Sequence, residues 1–469
     1  MSSPVKADNA GEAPPDISPS PAARPHRWRS RLKRIGKWSL GVLLVVYLVV
    51  WWTSLRIEQR PVWPPPSDAA LSTEAVTTTA EFVARDNPSL DDLGIPLAAA
   101  PIANPEFFLD GTEFFPAMLA DIRGASSSIH LQMFGIKPGD VSSEFVAAMV
   151  ERSQAGVEVR LIVDRYGSAV DDESAPLFST LQDAGVEIVA NDVVPLDRDG
   201  TLNDDAIDWR HDELGQVDHR KTMVIDGQIG WIGGAGLEDH FQDGRFTDVF
   251  MRYEGEAVHD LQLVFLTSFD VFGGTVPSSP AELAPYFPTP AVAGSGESWL
   301  VQNLTDGYLA GTQATREVIR GASERLDIMN PYFTDPGVVD DVIAAAERGV
   351  DVRIVVSRDS NVTQATYALE SRYGDLMDAG VEIWEHPGTM HAKVLVADDQ
   401  VIVGTINYDA WGLYRNLEIA VLIEDQVVAD DAVVKMVEPS IDNSIAAVDD
   451  FNAYETARNW FWSKLSYFI

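Results

Sequence analysis

The pattern that most constrains this chain is a His-x-Lys-x4-Asp spacing that occurs twice. It runs through His219, Lys221 and Asp226 in DHRKTMVIDGQIGWIGG, and through His391, Lys393 and Asp398 in MHAKVLVADDQVIVGTIN. Both copies lie in runs of β-branched and apolar residues. These predict buried strands, in which residues two apart share a face and stand roughly 6 to 7 Å from each other. Each strand is then expected to present one imidazole and one ammonium together. Cleaving a phosphodiester without a metal needs a nucleophile, an acid for the leaving oxygen, and fixed positive charge on the non-bridging oxygens. One copy would leave that reaction half equipped, and two supply all three parts. A neutral His can attack phosphorus, a protonated His from the other copy can protonate the departing alkoxide, and the two Lys can clamp the phosphoryl oxygens.

The surroundings of the two copies repeat as well. GTEFFPAMLADIRGA, SSIHLQMFGI, the stretch around Ser142 to Gln154 and VEVRLIVD read as helix, strand, helix, strand. GTQATREVIRGA, RLDIMNPYF, VVDDVIAAAERG and VDVRIVVS give the same order. This alternation predicts an α/β fold of two pseudo-symmetric halves, each a mixed sheet flanked by helices, with the site at the seam between them.

The motifs resemble the paired HKD motifs of the phospholipase D superfamily. From about Phe108 to the C-terminus the chain is similar to its bacterial cardiolipin synthase branch. LDGTEFF (109–115), GVEVRLIVDRYGS (156–168) and TDVFMRYEG (247–255) look like blocks of that family in the first half. NPYFTD (330–335), RGVDVRIVV (348–356), AGVEIWEH (379–386) and NLE (416–418) do so in the second. One departure is that Gly233, Gly234 and Ala235 are followed by Gly236, where the family's first motif usually carries an Asn. The acidic stretch before His219, residues 197–218, is also unusually long, and it reads as a solvated surface loop.

The resemblance implies a metal-free and cofactor-free phosphatidyltransferase that joins two phosphatidylglycerol molecules and releases glycerol. Its intermediate would be a phosphatidyl-histidine, formed on His219 with His391 as acid and then base. A hydrolase or nuclease would use the same residues with water as acceptor. Each imidazole needs a carboxylate to fix its tautomer, and Asp248 and Glu418, at nearly equal distances after the two histidines, are the candidates. Asn407 and Thr405 could donate to a phosphoryl oxygen, with Gly233, Gly234 and Gly404 letting the backbone approach. Asp226 and Asp398 complete the motifs, each at a strand end where an Asp fixes a turn. The other histidines of the body show no metal-ligand spacing.

With 469 residues, a net charge of −38 and a pI near 4.4, the chain is a poor general nucleic-acid binder, because its surface repels phosphate backbones. It has no Cys, which excludes disulfides, thiol nucleophiles and Cys-ligated zinc. Residues 1–37 read as a disordered tail ending in a basic cluster that includes Arg24, Arg27, Arg29, Arg31, Lys33, Arg34 and Lys37. The uncharged run WSLGVLLVVYLVVWWTSL (38–55) follows, just long enough for one transmembrane helix with Trp38, Trp51 and Trp52 at interfacial levels. The positive-inside rule then puts the catalytic body outside the cytoplasm, in a single-pass protein of the cell membrane. Residues 56–105 read as a Pro-rich linker, 106–295 as the first half and 296–469 as the second. The expected partners are a phospholipid substrate and the membrane, with no nucleic acid; the residues leave the oligomeric state open. The aromatic C-terminal segment from Arg458 could lie in a membrane interface or close the core.

Overall fold

The computed structural model describes residues 99–170, 172–191, 217–277, 279–304 and 309–466. The expected span at 38–55, the tail before it and most of the acidic stretch 197–218 lie outside these residues. Among the described residues no helix is long and apolar enough to cross a membrane.

The fold is mixed α/β, dominated by one large sheet. Its strands are β1 (Ala100–Leu109), β2 (Ser128–Met133), β3 (Glu158–Asp164), β4 (Glu187–Asn191), β5 (Lys221–Ile225) and β6 (Ile229–Gly233). After the short β7 (Phe246–Thr247) come β8 (Val249–Gly255), β9 (Gly296–Asn303), β10 (Arg325–Met329), β11 (Asp351–Ser357) and β12 (Glu382–His386). The short β13 (Thr389–Met390) precedes β14 (Val394–Ala397), β15 (Gln400–Gly404), β16 (Glu418–Glu424) and β17 (Ile445–Ala446).

Outward from β1 the order is β1-β8-β6-β5-β2-β3-β4, and outward from β9 it is β9-β16-β15-β14-β10-β11-β12, closed by β17. In each series the three outermost of these strands are parallel and the inner pairs antiparallel. The two series meet where Ala100, Pro101 and Ile102 pair with Ser298, Glu297 and Gly296.

Strand β1 therefore begins inside the stretch expected to be linker. Pro101 and Pro105 disguise it, because a proline cannot donate to a ladder and argues against an interior strand. The chain accommodates Pro105 with an irregularity between Ala103 and Glu106, next to Asn104 at φ 47°.

Three helices cover the first series: α1 (Gly111–Gly124), α2 (Asp140–Gln154) and α3 (Ala175–Asp183). They bury Phe114, Phe115, Phe145, Met149, Phe178 and Leu181 against sheet residues such as Leu131, Leu161 and Trp231. In the second series α5 (Ala310–Gly321) and α6 (Pro336–Glu347) do the same with Val318, Ile319, Val338 and Val342. The opposite sheet faces share one core. There α4 (Ala257–Val271) brings Val258 and Leu261, and the helical stretch 426–442 brings Ala432 and Met436. These pack with Val224, Ile232 and Met251 of one series and Val394, Val403 and Ile419 of the other.

Asp226 and Asp398 occupy equivalent turns, at φ 55° and 50°. Asp226 accepts from the backbone amides of Ser126, Ser127 and Ser128, and Asp398 from those of Ser323, Glu324 and Arg325. Each motif aspartate thus ties its hairpin to the loop that enters the neighbouring antiparallel strand, β2 or β10. The C-terminal aromatics fall on a helix, Ala453–Ser463. It is held by Arg458, which bonds Glu370 at 2.8 Å and lies over the Tyr367 ring, while Tyr454 and Trp460 remain exposed.

Candidate active site

The sequence pattern predicts both histidines on strands, but each stands at the entrance to one. Strand β5 starts at Lys221 and β14 at Val394, because the residues just before them pair elsewhere. The His219 amide donates to the Leu417 carbonyl at 3.0 Å, and the His391 amide to the Thr247 carbonyl at 2.7 Å. Segment 217–219 thereby runs beside the start of β16, and segment 389–391 beside β7.

These cross-connections decide which carboxylate serves which imidazole. Leu417 precedes Glu418 and Thr247 precedes Asp248, so each histidine is delivered to the acid of the opposite series. His219 Nδ1 lies 3.0 and 3.1 Å from the Glu418 oxygens, and His391 Nδ1 lies 2.6 Å from Asp248 Oδ2. Both acids are fully buried. With Nδ1 engaged by a carboxylate, Nε2 of each ring is the nitrogen left to act on a ligand.

The acids are themselves fixed. Thr405 gives its hydroxyl hydrogen to Glu418, so this hydroxyl orients the acid and is not spare for phosphate; Asn416 Nδ2 reaches the same carboxylate at 3.3 Å. Asp248 accepts from the Val249 amide at 2.7 Å. The expected glycines make room for protein and not for a ligand. A Cβ on Gly234 would stand 2.4 Å from Asp248 Oδ1, and one on Gly233 or Gly404 would stand 2.3 Å from a carbonyl of the adjacent strand. Asn407 is buried, and its Oδ1, an acceptor, has no partner among the described residues.

Lys221 and Lys393 are buried as well, each donating to the carbonyl of the histidine two residues before it. Lys221 stands over the Phe134 ring at 4.9 Å, and that ring meets the His219 imidazole edge to face. Lys393 lies 2.8 and 3.2 Å from the two ring nitrogens of His391. Two buried ammoniums facing two buried carboxylates balance in charge, and removing one member of such a set costs about 3–5 kcal/mol. Burial drives both ammoniums down from the usual lysine range, while Glu418 and Asp248 pull them back. Burial likewise pushes both carboxyls up against the pull of the lysines. Both imidazoles fall well below their ordinary value, first through burial and then through the nearby lysine charges. A neutral imidazole is the form that can attack phosphorus.

A second buried network lies behind His219 and includes residues that the sequence pattern does not single out. Asp218, expected in a solvated loop, is buried and accepts from Arg220 at 2.8 and 3.0 Å and from Gln132 at 2.6 Å. Its amide donates to Asp164, and Arg220 reaches Gln302 of β9 at 3.4 Å. A charged residue between His219 and Lys221 in an otherwise apolar strand was the available signal, since alternation turns it to the opposite face. Tyr332, whose hydroxyl donates to Asn361, walls the His391 side with its ring 6.3 Å away. Among the described residues no group of His, Asp and Glu could hold a metal ion.

Two imidazoles anchored at Nδ1 by crosswise acids, with two buried lysines beside them, form the candidate site on a phospholipase D-like fold. The family described as cardiolipin synthase, PLD-like domain, matches residues 118–265 and 315–438, more than half of the chain, and the chain belongs to it. It is 28% identical over 370 residues to the minor cardiolipin synthase of Bacillus subtilis, covering 76% of this chain and 87% of that one. It is 30% identical over 342 residues to cardiolipin synthase 2 of Bacillus anthracis, covering 70% of this chain and 62% of that one. In fold it is similar to the crystal structure of a phosphatidylserine synthase from Haemophilus influenzae. That match has a TM-score of 0.58 at 13% identity and covers 79% of this chain and 97% of the other.

The site carries a pH dependence of definite sign. A cation whose value is lowered loses its charge at a lower pH than an ordinary lysine, and Lys221 is brought down to about 8 by burial. Lys393 is brought lower still, to about 7, so turnover of a soluble phosphodiester should fall as pH rises from about 7 through 8, where first Lys393 and then Lys221 lose the charge available to a phosphoryl oxygen. A flat rate to pH 10 would contradict this.

Proposed function

We propose that this phospholipase D superfamily phosphatidyltransferase joins two phosphatidylglycerol molecules into cardiolipin with release of glycerol. The observation that carries the reading is the pair of crosswise imidazole–carboxylate contacts, which equips each of two histidines to act through Nε2. The names of the Bacillus relatives support the substrate.

His219 Nε2 attacks phosphorus while His391, which takes up a proton when the anionic phosphodiester sits against it and offsets the lysine charges, gives that proton to the departing glycerol oxygen, leaving a phosphatidyl-histidine, free glycerol and a neutral His391. The primary hydroxyl of a second phosphatidylglycerol then loses its proton to His391 and attacks phosphorus. The P–N bond breaks and His219 is restored. Lys221, Lys393 and the Asn407 amide hold the non-bridging oxygens as charge builds. Asp226 and Asp398 take no part in bond making and keep the two hairpins in register. Residues 100–295, which take in the whole of β1, and 296–469 form the two pseudo-symmetric halves, each lending one histidine and the acid for the other.

The 38–55 helix anchors the protein, with residues 1–37 inside, 56–99 leading out of the membrane, and the catalytic body outside. Tethering matters here because water outnumbers any lipid headgroup. Confinement to a phosphatidylglycerol-bearing surface raises the local concentration of acceptor, and a closed site excludes the competitor.

Purified protein given phosphatidylglycerol in mixed micelles should form cardiolipin and free glycerol in equal amounts. Phosphatidic acid as the main product would make the protein a hydrolase, and inertness toward phospholipid with cleavage of DNA would overturn the lipid reading. Protease added to spheroplasts should digest the body, and full protection would refute the outward orientation.

A further inference from the structure

The loops that follow the two motif hairpins differ in a way that bears on the alcohol. After β15 the chain carries Asn407 and Asp409, and Asp409 is consumed in capping a helix, accepting from the amides of Trp411 and Gly412. The corresponding positions after β6 are Gly236 and Glu238, and Glu238 caps nothing. Its Oε1 sits in a gap between two glycines. A Cβ on Gly135 would stand 2.5 Å from that oxygen, and a Cβ on Gly236 would stand 3.0 Å from it and 2.8 Å from the Gly135 carbonyl. The Asn missing from the first motif is thus excluded by backbone, and a carboxylate occupies the neighbourhood instead.

That carboxylate is largely enclosed and only loosely paired. Its side chain is 17% exposed, and the nearest cations are Lys137 Nζ at 3.8 Å and His240 Nδ1 at 3.7 Å, both beyond hydrogen-bond length. The loop reaches both sides of the site: Glu238 and Lys221 feel each other's charge, and Gly135 follows Phe134, whose ring meets His219, while the rest of the loop adjoins His391. Gly234 backs onto Asp248, which bonds His391. The Phe241 and Phe246 rings lie 5.3 and 5.9 Å from the His391 ring, and His240 packs on both of them at 4.4 and 4.2 Å. An ionised carboxylate only accepts hydrogen bonds and repels phosphoryl oxygens. What it can take from a ligand lying between the two sides is a hydroxyl.

We infer that Glu238 is a specificity-determining residue which accepts hydrogen bonds from the free hydroxyls of the glycerol headgroup at the face where His391 handles the alcohol's proton. The inference rests on the proposed function, in which the first glycerol leaves from that face and the second headgroup enters there. One subsite therefore reads both alcohols. A site built to bond a hydroxyl rejects the analogue that lacks it, because its polar group is then left without a partner.

The test partitions one covalent intermediate between two alcohols. The full chain is given phosphatidylglycerol in mixed micelles together with equal concentrations of radiolabelled glycerol and radiolabelled 1-propanol, and labelled phosphatidylglycerol and phosphatidylpropanol are counted. The wild type should favour glycerol by roughly tenfold or more. Glu238→Gln, which keeps an acceptor but loses the charge that strengthens it, should lower the ratio severalfold whatever its absolute rate. Glu238→Asp, which keeps the charge but withdraws it, should lower the ratio at least threefold, and Lys137→Met should leave it unchanged. An unchanged ratio in Glu238→Gln, or in Glu238→Asp if the first variant does not fold, overturns the role of Glu238. So does a wild type that makes cardiolipin yet takes both alcohols equally. A wild type that makes neither cardiolipin nor either labelled product overturns the phosphatidyltransferase reading itself, and this inference with it.

Discussion

The contact on which the site depends is the hydrogen bond between an imidazole on one side of the seam and a carboxylate on the other. His219 meets Glu418 and His391 meets Asp248, and in both cases the pairing begins in the backbone, where the histidine amide donates to the residue just before the acid. The consequence is that neither set of strands holds a complete unit. Separating them would strip both rings of the partner that fixes their tautomer. The shared core of Val224, Ile232, Met251, Val394, Val403 and Ile419 is therefore also what keeps the chemistry assembled.

Charge explains why an acidic protein can present a site for an anion. At −38 overall, long-range attraction to phosphate is not available, so the positive charge is local, buried and fixed. Lys221 and Lys393 are held in place by carbonyls of the residues they assist, and Glu418 and Asp248 offset the cost of burying them. The arrangement suits a substrate delivered along a surface better than one captured from solution.

Much of this was legible from residue pattern alone. The duplicated motif named both histidines and both lysines, and the repeated helix–strand order announced the mixed α/β architecture. What escaped did so for physical reasons. Pro101 and Pro105 hide β1, since a strand that absorbs prolines through an irregularity looks like linker. The crosswise pairing leaves no mark in spacing, because Asp248 and Glu418 follow the histidines at similar distances and only tertiary pairing tells which serves which. Asp218 belongs by composition to an acidic loop, and burial came from Arg220 and Gln132 folding onto it. The hydroxyl of Thr405 had two suitors in principle, a phosphate or a carboxylate, and the packing of β15 on β16 gave it to Glu418.

The central claim is that attack and proton transfer reside on different histidines, with His219 as the nucleophile. The most direct test uses His391→Ala with a phosphatidyl ester of p-nitrophenol, a leaving group that needs no acid. Without His391 no base activates the second alcohol, so the intermediate should accumulate with a burst of p-nitrophenolate equal to the enzyme, and peptide mass spectrometry should find the phosphatidyl group on His219. His219→Ala should give neither burst nor adduct. An adduct retained in His219→Ala, or a burst from His391→Ala with no modified histidine, would contradict the account.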